Sequence, residues 1–366
     1  MSESDFLAAF GRLPSATADA AGRVNLMGEH TDYNGGRVLP TAIPGRTRVW
    51  LARRDDGRVQ AGSAAVGGAV ESYTLGAESP RGTWLDYLQG ITAELVRGGQ
   101  ALSGLDLWIE SDVPVGSGLA SSAAFEIAVL RGLRALYGLL LDDLELARLG
   151  QRAETRFVGA NVGIMDQMAA VFADEHTALL LDTRTLAFER VPLPDTLEIG
   201  VIDSGVRHAH ASGGYNERRE ECERAAALLG VRSLCELSVD ALPRVLELPE
   251  PLARRARHAI TEHARVGAAA DALRAGDGDA LRALFTASHA SQRDDFAVSV
   301  PEVDRLVSLA LKDEDVVAAR LTGGGFGGSI VFVASRGRAH TAALRVLDAA
   351  ALPHARVVVP ARASHG

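Results

Sequence analysis

The sequence predicts an α+β protein of two domains, and its length and its pattern of extended and helical runs carry that prediction. The chain has 366 residues, which is long for one hydrophobic core. Extended and helical runs are mixed along it: 105–109, 197–201 and the two halves of 321–335 are extended, and 121–137 and 215–229 are helical. These strands and helices fall into two groups. We place the boundary at 190/191, which gives domains of 1–190 and 191–366.

The composition excludes several classes of protein. Apolar residues make up 47% of the chain and charged residues 23%, as in soluble globular proteins. The net charge of −9 argues against a broad nucleic-acid-binding surface. No stretch approaches the roughly 18 consecutive apolar residues of a membrane helix, and the N-terminus shows no signal peptide. Two cysteines, Cys222 and Cys235, make no disulfide framework and no zinc site. We therefore expect a cytoplasmic monomer with small-molecule partners, without nucleic acid or membrane.

Lysine is almost absent from this chain. Lys312 is the single lysine, so arginine supplies 37 of the 38 basic residues. A Walker-type loop needs a lysine after its glycines, and a protein kinase needs one on its third strand. Lys312 lies in neither context. Any phosphate chemistry must therefore use backbone amides, arginine and metal.

The first segment that carries chemistry is GRVNLMGEHTDYNGGRVLP at 22–40. It places Arg23, Glu29, His30 and Asp32 among glycines and before an extended run. Carboxylates accept and arginine donates hydrogen bonds, so this cluster has the groups that hold sugar hydroxyls. A solvated turn is the alternative, and we would favour it for an arbitrary cluster of this kind. A metal site is a weaker alternative, because no second histidine lies nearby.

The second segment is VPVGSGLASS at 113–122, between a strand and a helix. Glycines let successive N–H groups turn inward as an anion nest, and the helix N-terminus adds positive potential. We expect Ser121 or Ser122 to cap this helix and a serine at the end of the loop to reach magnesium. The alternative is a loop that only turns the chain. No G-x-S-x-G motif supports a hydrolase.

The third segment is TGGGFGG at 322–328, which satisfies G-x-G-x-x-G through Gly323, Gly325 and Gly328. A dinucleotide-binding fold needs a helix next, whereas the following SIVFVAS predicts a strand. We therefore reject a dehydrogenase. The glycines fit a close approach to a phosphate or to another loop, and they also fit a plain tight hairpin.

Asp166 follows a glycine on a mostly apolar background within 152–170. A carboxylate in that setting is costly unless it is paired. Asp166 is therefore either a helix cap or a catalytic group, and the fragment alone favours neither.

In this order, the three glycine-bearing segments resemble the three motifs of the GHMP kinases. GRVNLMGEHTDYNGG resembles the signature of the galactokinase family, and VGIMDQ at 162–167 is similar to the catalytic-aspartate segment of that family. VRHAHASGGYNERREEC at 206–222 is similar to its sugar-contacting stretch, so the resemblance spans most of the chain. The residues that depart from the usual pattern are Met27, Ala120, Asn161 and Val162.

The resemblance implies a two-domain GHMP kinase fold. Its N-terminal domain would be ribosomal-protein-S5-like, its C-terminal domain ferredoxin-like, and its active site would lie in the cleft between them. It also implies transfer of the γ-phosphoryl group of ATP to the C1 hydroxyl of galactose, with Mg²⁺ held by Ser122 and Glu154. Asp166 would act as the base, and Arg23 beside it would favour the ionised carboxylate and stabilise the moving charge.

The resemblance further implies two sets of binding residues. The sugar would be held by Glu29, His30, Asp32, Gly163 and Tyr215. ATP would contact Gly116, Ser117, Gly118, Leu119, Ala120, Ser121, Ser122, Trp84 and Tyr87. The two aromatic residues of the second set fit the core of a domain equally well.

Two other functions stay open beside this one. A GHMP kinase for another substrate, such as N-acetylgalactosamine, would differ in pocket volume beyond the 2-hydroxyl. A catalytically silent sensor of galactose and ATP would show damage at Arg23, Asp166 or the loop serines, and all of these residues are present.

Overall fold

The computed structural model describes residues 2–207 and 211–360. Residues 208–210, which belong to the predicted sugar-contacting stretch 206–222, lie outside the described residues. Among the described residues, no helix combines the length and the apolar character needed to cross a membrane.

The described chain packs as two compact units made of interleaved segments. Unit 1 comprises residues 1–22, 45–115 and 120–172, and unit 2 comprises residues 23–44, 116–119 and 173–366. The sequence predicts one boundary at 190/191, with each domain a single stretch of chain. The units differ from that prediction in two ways. The chain passes from unit 1 to unit 2 for the last time between residues 172 and 173, and two short segments from the first half of the chain belong to unit 2.

Unit 1 combines a mixed sheet with helices. Its elements are α1 (Ser2–Phe10), β1 (Ala16–Asn25), β3 (Pro40–Arg54), β4 (Arg58–Ser63), β5 (Val70–Thr74), α2 (Leu85–Arg97), β6 (Gly104–Ser111), α3 (Ser121–Tyr137), α4 (Asp143–Ala153) and α5 (Met165–Phe172). The last residues of β1 and the first of β3 belong to unit 2. Strand β6 lies antiparallel to β3 and parallel to β4, and β4 pairs antiparallel with β5. Helices α2, α3, α4 and α5 pack on one another.

The helices of unit 1 differ in how they begin. Helix α4 has a side-chain cap, since the Asp142 side chain accepts a hydrogen bond from Glu145 N (2.7 Å). Helix α3 spans the predicted residues, but its cap is Ala120 in the left-handed conformation, with no side-chain hydrogen bond. The predicted serine cap is therefore wrong. The chain enters the helix one residue earlier, so Ser121 and Ser122 lie inside its first turn.

Unit 2 contains two groups of strands and five longer helices among its described residues. Its elements are β2 (Arg37–Val38), β7 (Thr177–Asp182), β8 (Phe188–Pro192), β9 (Leu197–Arg207), α6 (Ala211–Leu229), α7 (Leu242–Val245), α8 (Leu252–Ala275), α9 (Gly278–Asp294), α10 (Pro301–Ala310), β10 (Val316–Thr322), β11 (Gly327–Ser335), α11 (Ala339–Ala350) and β12 (Arg356–Val359). Strand β7 pairs antiparallel with β2 and with β8.

A second sheet carries the core of unit 2. Its order is β10–β11–β9–β12, and every pair of neighbours is antiparallel. Alternate residues such as Ile202, Leu321 and Phe332 point into one apolar cluster that α6, α8, α10 and α11 complete. This packing fixes β10 and the glycine turn after it on a rigid base. The α+β class predicted from the sequence is confirmed.

Candidate active site

The segment 22–40, which we call the sugar signature, lies in unit 2 from Arg23 onward. Arg23 is buried near the end of β1. Its backbone N–H donates to Leu119 O (3.1 Å), and its guanidinium Nη1 donates to Gly118 O. One backbone donor and one charged donor on these two successive carbonyls hold the predicted phosphate loop against the end of β1.

Glu29 lies deep in unit 2 and is already engaged by protein groups. Its Oε2 accepts a hydrogen bond from Arg320, and its Oε1 accepts from Thr322 Oγ1 and Gly323 N (both 3.1 Å). Burial raises the pKa of Glu29, against the opposing influence of the Arg320 charge. A carboxylate has about four acceptor positions. Three are taken by these donors, which leaves about one for a ligand.

His30 sits in an aromatic setting with a left-handed backbone. Its ring lies 4.6 Å from Phe296, 5.4 Å from Tyr215 and 5.8 Å from Tyr33 (centroid distances), and its Nδ1 lies 2.8 Å from Tyr33 Oη. Burial lowers the pKa of His30 to about 3, so the imidazole is neutral at physiological pH. Its φ of 63° is unusual for a residue other than glycine. Such a conformation persists only where surrounding contacts hold it.

Two further predicted sugar ligands, Asp32 and Tyr215, lie in the same unit. Asp32 begins a short 3₁₀ turn two residues after His30 and is half-buried. Tyr215 lies on α6 and contacts both His30 and Tyr33. The structure therefore brings His30 and Tyr215 together, although they are far apart in the sequence.

The phosphate loop alternates its backbone conformation. Gly116, Gly118 and Ala120 have φ values of 71°, 78° and 58°, while Ser117 and Leu119 between them have negative φ. This alternation is the backbone pattern of an anion-binding nest. Ser117 is buried, and its carbonyl oxygen accepts a hydrogen bond from Ser329 Oγ (2.7 Å).

The third glycine motif packs against this loop. A Cβ added to Gly323 would lie 3.3 Å from Gly118 Cα, and Gly323 has a φ of 87°. Only glycine fits such a position without strain. Strand β11 follows the motif, which confirms the rejection of a dinucleotide-binding fold. The predicted close approach to another loop is confirmed, and that loop is 116–119.

Unit 1 holds an apolar cavity of about 200 Å³ beside the first turn of α3. Trp84 and Tyr87 line it together with Phe125, Ser121 and Ser122. Both aromatic rings stand edge-on to Phe125, and Trp84 Nε1 donates to Glu71 Oε1 (2.8 Å). Both residues therefore line a cavity, and their contact with ATP stays a prediction.

Two buried glutamates lie beneath the same region of unit 1. The Gln167 amide Nε2 donates to Glu126 Oε2 (3.0 Å) and to Glu154 Oε2 (2.8 Å), and so bridges them. Burial raises the pKa of Glu126 well above its usual range, and the charges of Glu154 and Asp166 raise it further. Burial likewise raises the pKa of Tyr87 to about 12, assisted by Glu154 and Glu126. The carboxyl groups of Glu154 and Glu126 therefore lie close to the cavity wall.

This arrangement fits magnesium. Ser122 supplies a hydroxyl at the cavity and Glu154 a carboxylate close to Tyr87, and magnesium prefers one or two protein oxygens with water and phosphate. Among the described residues, no three His, Cys, Asp or Glu side chains form a complete metal cage. A site completed by substrate phosphates needs no such cage.

Asp166 lies in the first turn of α5 and is half-buried, with Gly163 in the irregular segment just before the helix. Both belong to unit 1, whereas Arg23 belongs to unit 2. The pairing of Asp166 with Arg23 therefore stays a prediction.

Family models and solved structures identify what these motifs belong to. The galactokinase galactose-binding signature matches residues 4–53, and the N-terminal and C-terminal GHMP kinase domains match 86–174 and 269–351. A galactokinase from Lactococcus lactis, solved in complex with galactose, is 33% identical, with a TM-score of 0.91, over 97% of this chain and 95% of that chain. The chain belongs to the galactokinase family of the GHMP kinases. It is an ATP-dependent sugar kinase.

More distant GHMP kinases share the fold of this family. Mevalonate kinase from Methanococcus jannaschii is 17% identical with a TM-score of 0.68, over 93% of this chain and 96% of that chain. Streptococcus pneumoniae phosphomevalonate kinase, in complex with phosphomevalonate and AMPPNP, is 16% identical with a TM-score of 0.67, over 93% and 99%. These two likenesses are of fold alone, and they support the predicted two-domain GHMP kinase fold.

Several residues of this galactokinase-family site were not predicted from the sequence. Gln167 had a signal, because it is part of the VGIMDQ motif. Arg320 had a weaker signal, because it stands two residues before the third glycine motif. The only sequence signal for Glu262 was its helical spacing, three residues after Ala259 and four before Val266, on the buried side of α8. A glutamate on an apolar stripe marks a buried polar contact.

Proposed function

We propose that this protein is a galactokinase that transfers the γ-phosphoryl group of ATP to the C1 hydroxyl of galactose, yielding galactose 1-phosphate and ADP. The observation that carries this proposal is the match of the galactose-binding signature to residues 4–53, which contain Arg23, Glu29, His30 and Asp32. The 33% identical relative was solved with galactose bound, which supports the same sugar here.

In this proposal, the residues of unit 2 hold the sugar. Asp32 and the remaining acceptor position of Glu29 take hydroxyl donors. Neutral His30 and Tyr215 supply groups that both donate and accept. From unit 1, Gly163, three residues before Asp166, contributes a backbone contact. The aromatic rings around His30 give the sugar an apolar face to lie against.

ATP occupies the loop 116–122 and the cavity of unit 1. The alternating backbone of Gly116–Leu119 and Ala120 offers N–H groups to the phosphates, together with the N-terminus of α3. The loop serines Ser117, Ser121 and Ser122 lie along this path. Trp84 and Tyr87 line an apolar cavity of a size that suits the adenine ring.

Asp166 takes the proton of the C1 hydroxyl as the phosphoryl group moves to that oxygen. Arg23 supplies positive charge for the transferring group, and its hold on the carbonyls of Gly118 and Leu119 positions the loop. Phosphoryl transfer asks little covalent chemistry of the protein, so these residues act by position and charge.

Ser122 and Glu154 would hold magnesium, which neutralises charge on the ATP phosphates when it is bound. For Glu154→Gln we expect the magnesium concentration for half-maximal rate to rise at least about tenfold. Binding of Mn²⁺ in the presence of ADP, followed by electron paramagnetic resonance, should weaken in parallel. Glu145→Gln is the control, since this partly exposed glutamate on α4 pairs with Arg152. Unchanged Mn²⁺ binding in Glu154→Gln would remove Glu154 from the metal site.

The function is tested by product formation with ATP and magnesium across a panel of galactose, glucose, 2-deoxygalactose, N-acetylgalactosamine and mevalonate. ADP release gives the rate, and phosphorus NMR identifies the phosphorylated position. We expect turnover with galactose and an anomeric phosphate. Turnover with N-acetylgalactosamine but not with galactose would show that the proposed chemistry is right and the proposed sugar is wrong. Galactose binding without turnover on any acceptor would favour a sensor.

A further inference from the structure

A cluster of three buried charged side chains and one half-buried arginine lies behind the sugar signature in unit 2. It consists of Glu29, Glu262, Arg265 and Arg320, and we call it the arginine–glutamate cluster. Glu29 is 2% exposed, and Glu262 and Arg320 are both 0% exposed. Two carboxyl groups face two guanidinium groups in it. It joins the signature loop to α8 and to β10.

Glu262, on α8, holds the turn that precedes the predicted sugar ligands. Its Oε1 accepts hydrogen bonds from Gly28 N (3.0 Å) and Ser288 Oγ (2.8 Å), and its Oε2 accepts from Arg265 Nε (2.7 Å). Gly28 has a φ of 103°, and a Cβ there would lie 2.7 Å from Arg37 O. The backbone packs so closely around Gly28 that no side chain fits at this position. The N–H of Gly28 points toward α8, where the Glu262 carboxylate accepts its hydrogen bond.

Arg320 extends this hold to the next residues of the loop. Its Nη1 donates to Leu26 O (2.6 Å), its Nη2 donates to Glu29 Oε2, and it lies 3.7 Å from Glu262 Oε1. Glu29 Oε1 in turn accepts from Gly323 N (3.1 Å). A continuous set of polar contacts thus runs from α8 through the signature loop to the third glycine motif.

The charge of Glu262 is an integral part of this arrangement. Burial alone would raise its pKa, but Arg265 and Arg320 outweigh burial and hold the pKa below its usual range. The carboxylate is therefore ionised at neutral pH and acts purely as an acceptor. An amide in its place would turn a donor toward Arg265 and leave the two arginines facing one carboxylate.

We propose that Glu262 is a positioning residue of the sugar site, which fixes Gly28 and, with Arg320, Glu29, so that the loop presents His30 and Asp32 in one arrangement. This inference rests on the proposed function. Its physical basis is the left-handed backbone of His30, two residues after Gly28, which needs such external contacts to persist. Glu262 itself touches no substrate in this proposal.

The test is Glu262→Gln, with the dissociation constant of galactose measured by calorimetry in the presence of magnesium and a non-hydrolysable ATP analogue. We expect that constant, and KM for galactose, to rise at least about tenfold. KM for ATP and kcat should stay within about threefold, because the phosphate loop and Asp166 keep their own contacts. Asp271→Asn is the matched control, since it alters an exposed ion pair with Arg274 on the same helix.

Ser288→Ala is a milder second variant, which removes one hydrogen bond from Glu262 and leaves the charges intact. We expect a two- to fourfold rise in KM for galactose alone, of the order of one hydrogen bond. Equal losses for galactose and ATP in both variants would show a general structural role and overturn the proposal. Unchanged galactose affinity in Ser288→Ala, where Glu262→Gln does not fold, would overturn it as well. Wild-type protein that does not bind galactose would instead contradict the proposed function.

Discussion

Glu126 in unit 1 and Glu262 in unit 2 are both 0% exposed, yet their environments act on them in opposite directions. Burial and the charges of Glu154 and Asp166 raise the pKa of Glu126 well above its usual range. At Glu262, Arg265 and Arg320 overcome burial and lower the pKa. Burial alone therefore does not decide the charge of a buried carboxylate, because the sign of its neighbours decides it.

The difference separates two tasks within one enzyme. Unit 1 gathers Glu126, Glu154 and Asp166 in one neighbourhood, where negative charge attracts a cation and a transferable proton. Unit 2 pairs carboxyl groups with arginines in the arginine–glutamate cluster, and these pairs hold a loop in place. We therefore expect variants of Glu154 and Asp166 to lose chemistry, and variants of the arginine–glutamate cluster to lose sugar binding.

The largest expected effect belongs to unit 1. Asp166→Asn should lower kcat about a thousandfold, because an amide cannot accept the proton of the sugar hydroxyl. Dissociation constants for galactose and for the non-hydrolysable ATP analogue should stay within about threefold. The control is Asp143→Asn on α4, an exposed partner of Arg134. If Asp166→Asn turns over at the wild-type rate, its proposed role as base is wrong.

Stability tests the comparison directly, through the same substitution at both glutamates. Glu262→Gln leaves buried arginine charge uncompensated and should lower the free energy of unfolding by about 3 kcal/mol. Glu126→Gln replaces a carboxyl that its neighbours already favour as neutral, so we expect a change within about 1 kcal/mol. Both are measured by urea denaturation.

The chain carries its own probe for this experiment. All three tryptophans, Trp50, Trp84 and Trp108, lie in unit 1, so tryptophan fluorescence reports that unit, whereas circular dichroism reports both. Glu262→Gln should therefore shift the circular dichroism transition at least as much as the fluorescence transition. Equal destabilisation by the two substitutions would contradict the proposed difference between Glu126 and Glu262, since burial alone would then explain the loss of stability.

Low pH should weaken unit 2 more than unit 1. All seven histidines among the described residues lie in unit 2, and burial lowers the pKa of His30 to about 3 and those of His258 and His289 to about 4. The unfolded chain binds these protons below pH about 6.5, whereas the folded protein does not. Each buried histidine therefore costs about 2 kcal/mol of stability as the pH falls from 7 to 5.

The measurement is the urea midpoint by circular dichroism at several pH values between 5 and 7. His258→Gln should flatten the pH dependence, because it removes one of the groups that must charge on unfolding. His176→Gln, at an exposed position, should leave the dependence as it is in the wild type. A dependence that His258→Gln does not alter would assign the acid effect to carboxylates.

Most of the helices and strands, and the order of the motifs, could be predicted from the sequence, because each depends on local patterns. Helix α3 and the strand–glycine–strand of β10 and β11 lie where periodicity and glycine placed them. The cap of α3 could not be predicted, because it depends on the left-handed Ala120, and alanine gives no signal for that conformation.

Local sequence patterns could not predict the contacts that hold Gly28 and Glu29 in place. Gly28 and Glu262 are separated by 234 residues, and Glu29 and Arg320 by 291. The charge cluster predicted at 22–40 was therefore incomplete in its partners, and the sugar contacts of its residues stay a prediction. Sequence spacing alone does not tell that Glu29 is already held by Arg320 and Gly323.

The smallest expected effect concerns the cavity of unit 1, where Trp84 is proposed to contact adenine. Trp84→Leu should raise KM for ATP about fivefold and leave KM for galactose unchanged, because an aromatic contact contributes about 1 kcal/mol beyond its buried area. Trp84→Phe keeps an aromatic ring but loses the hydrogen bond to Glu71, so it should retain most of the ATP affinity. Equal losses in both variants would assign the effect to that hydrogen bond and not to stacking. A rise in KM for galactose instead would contradict the division of tasks between the two units, since no residue that lines this cavity belongs to unit 2.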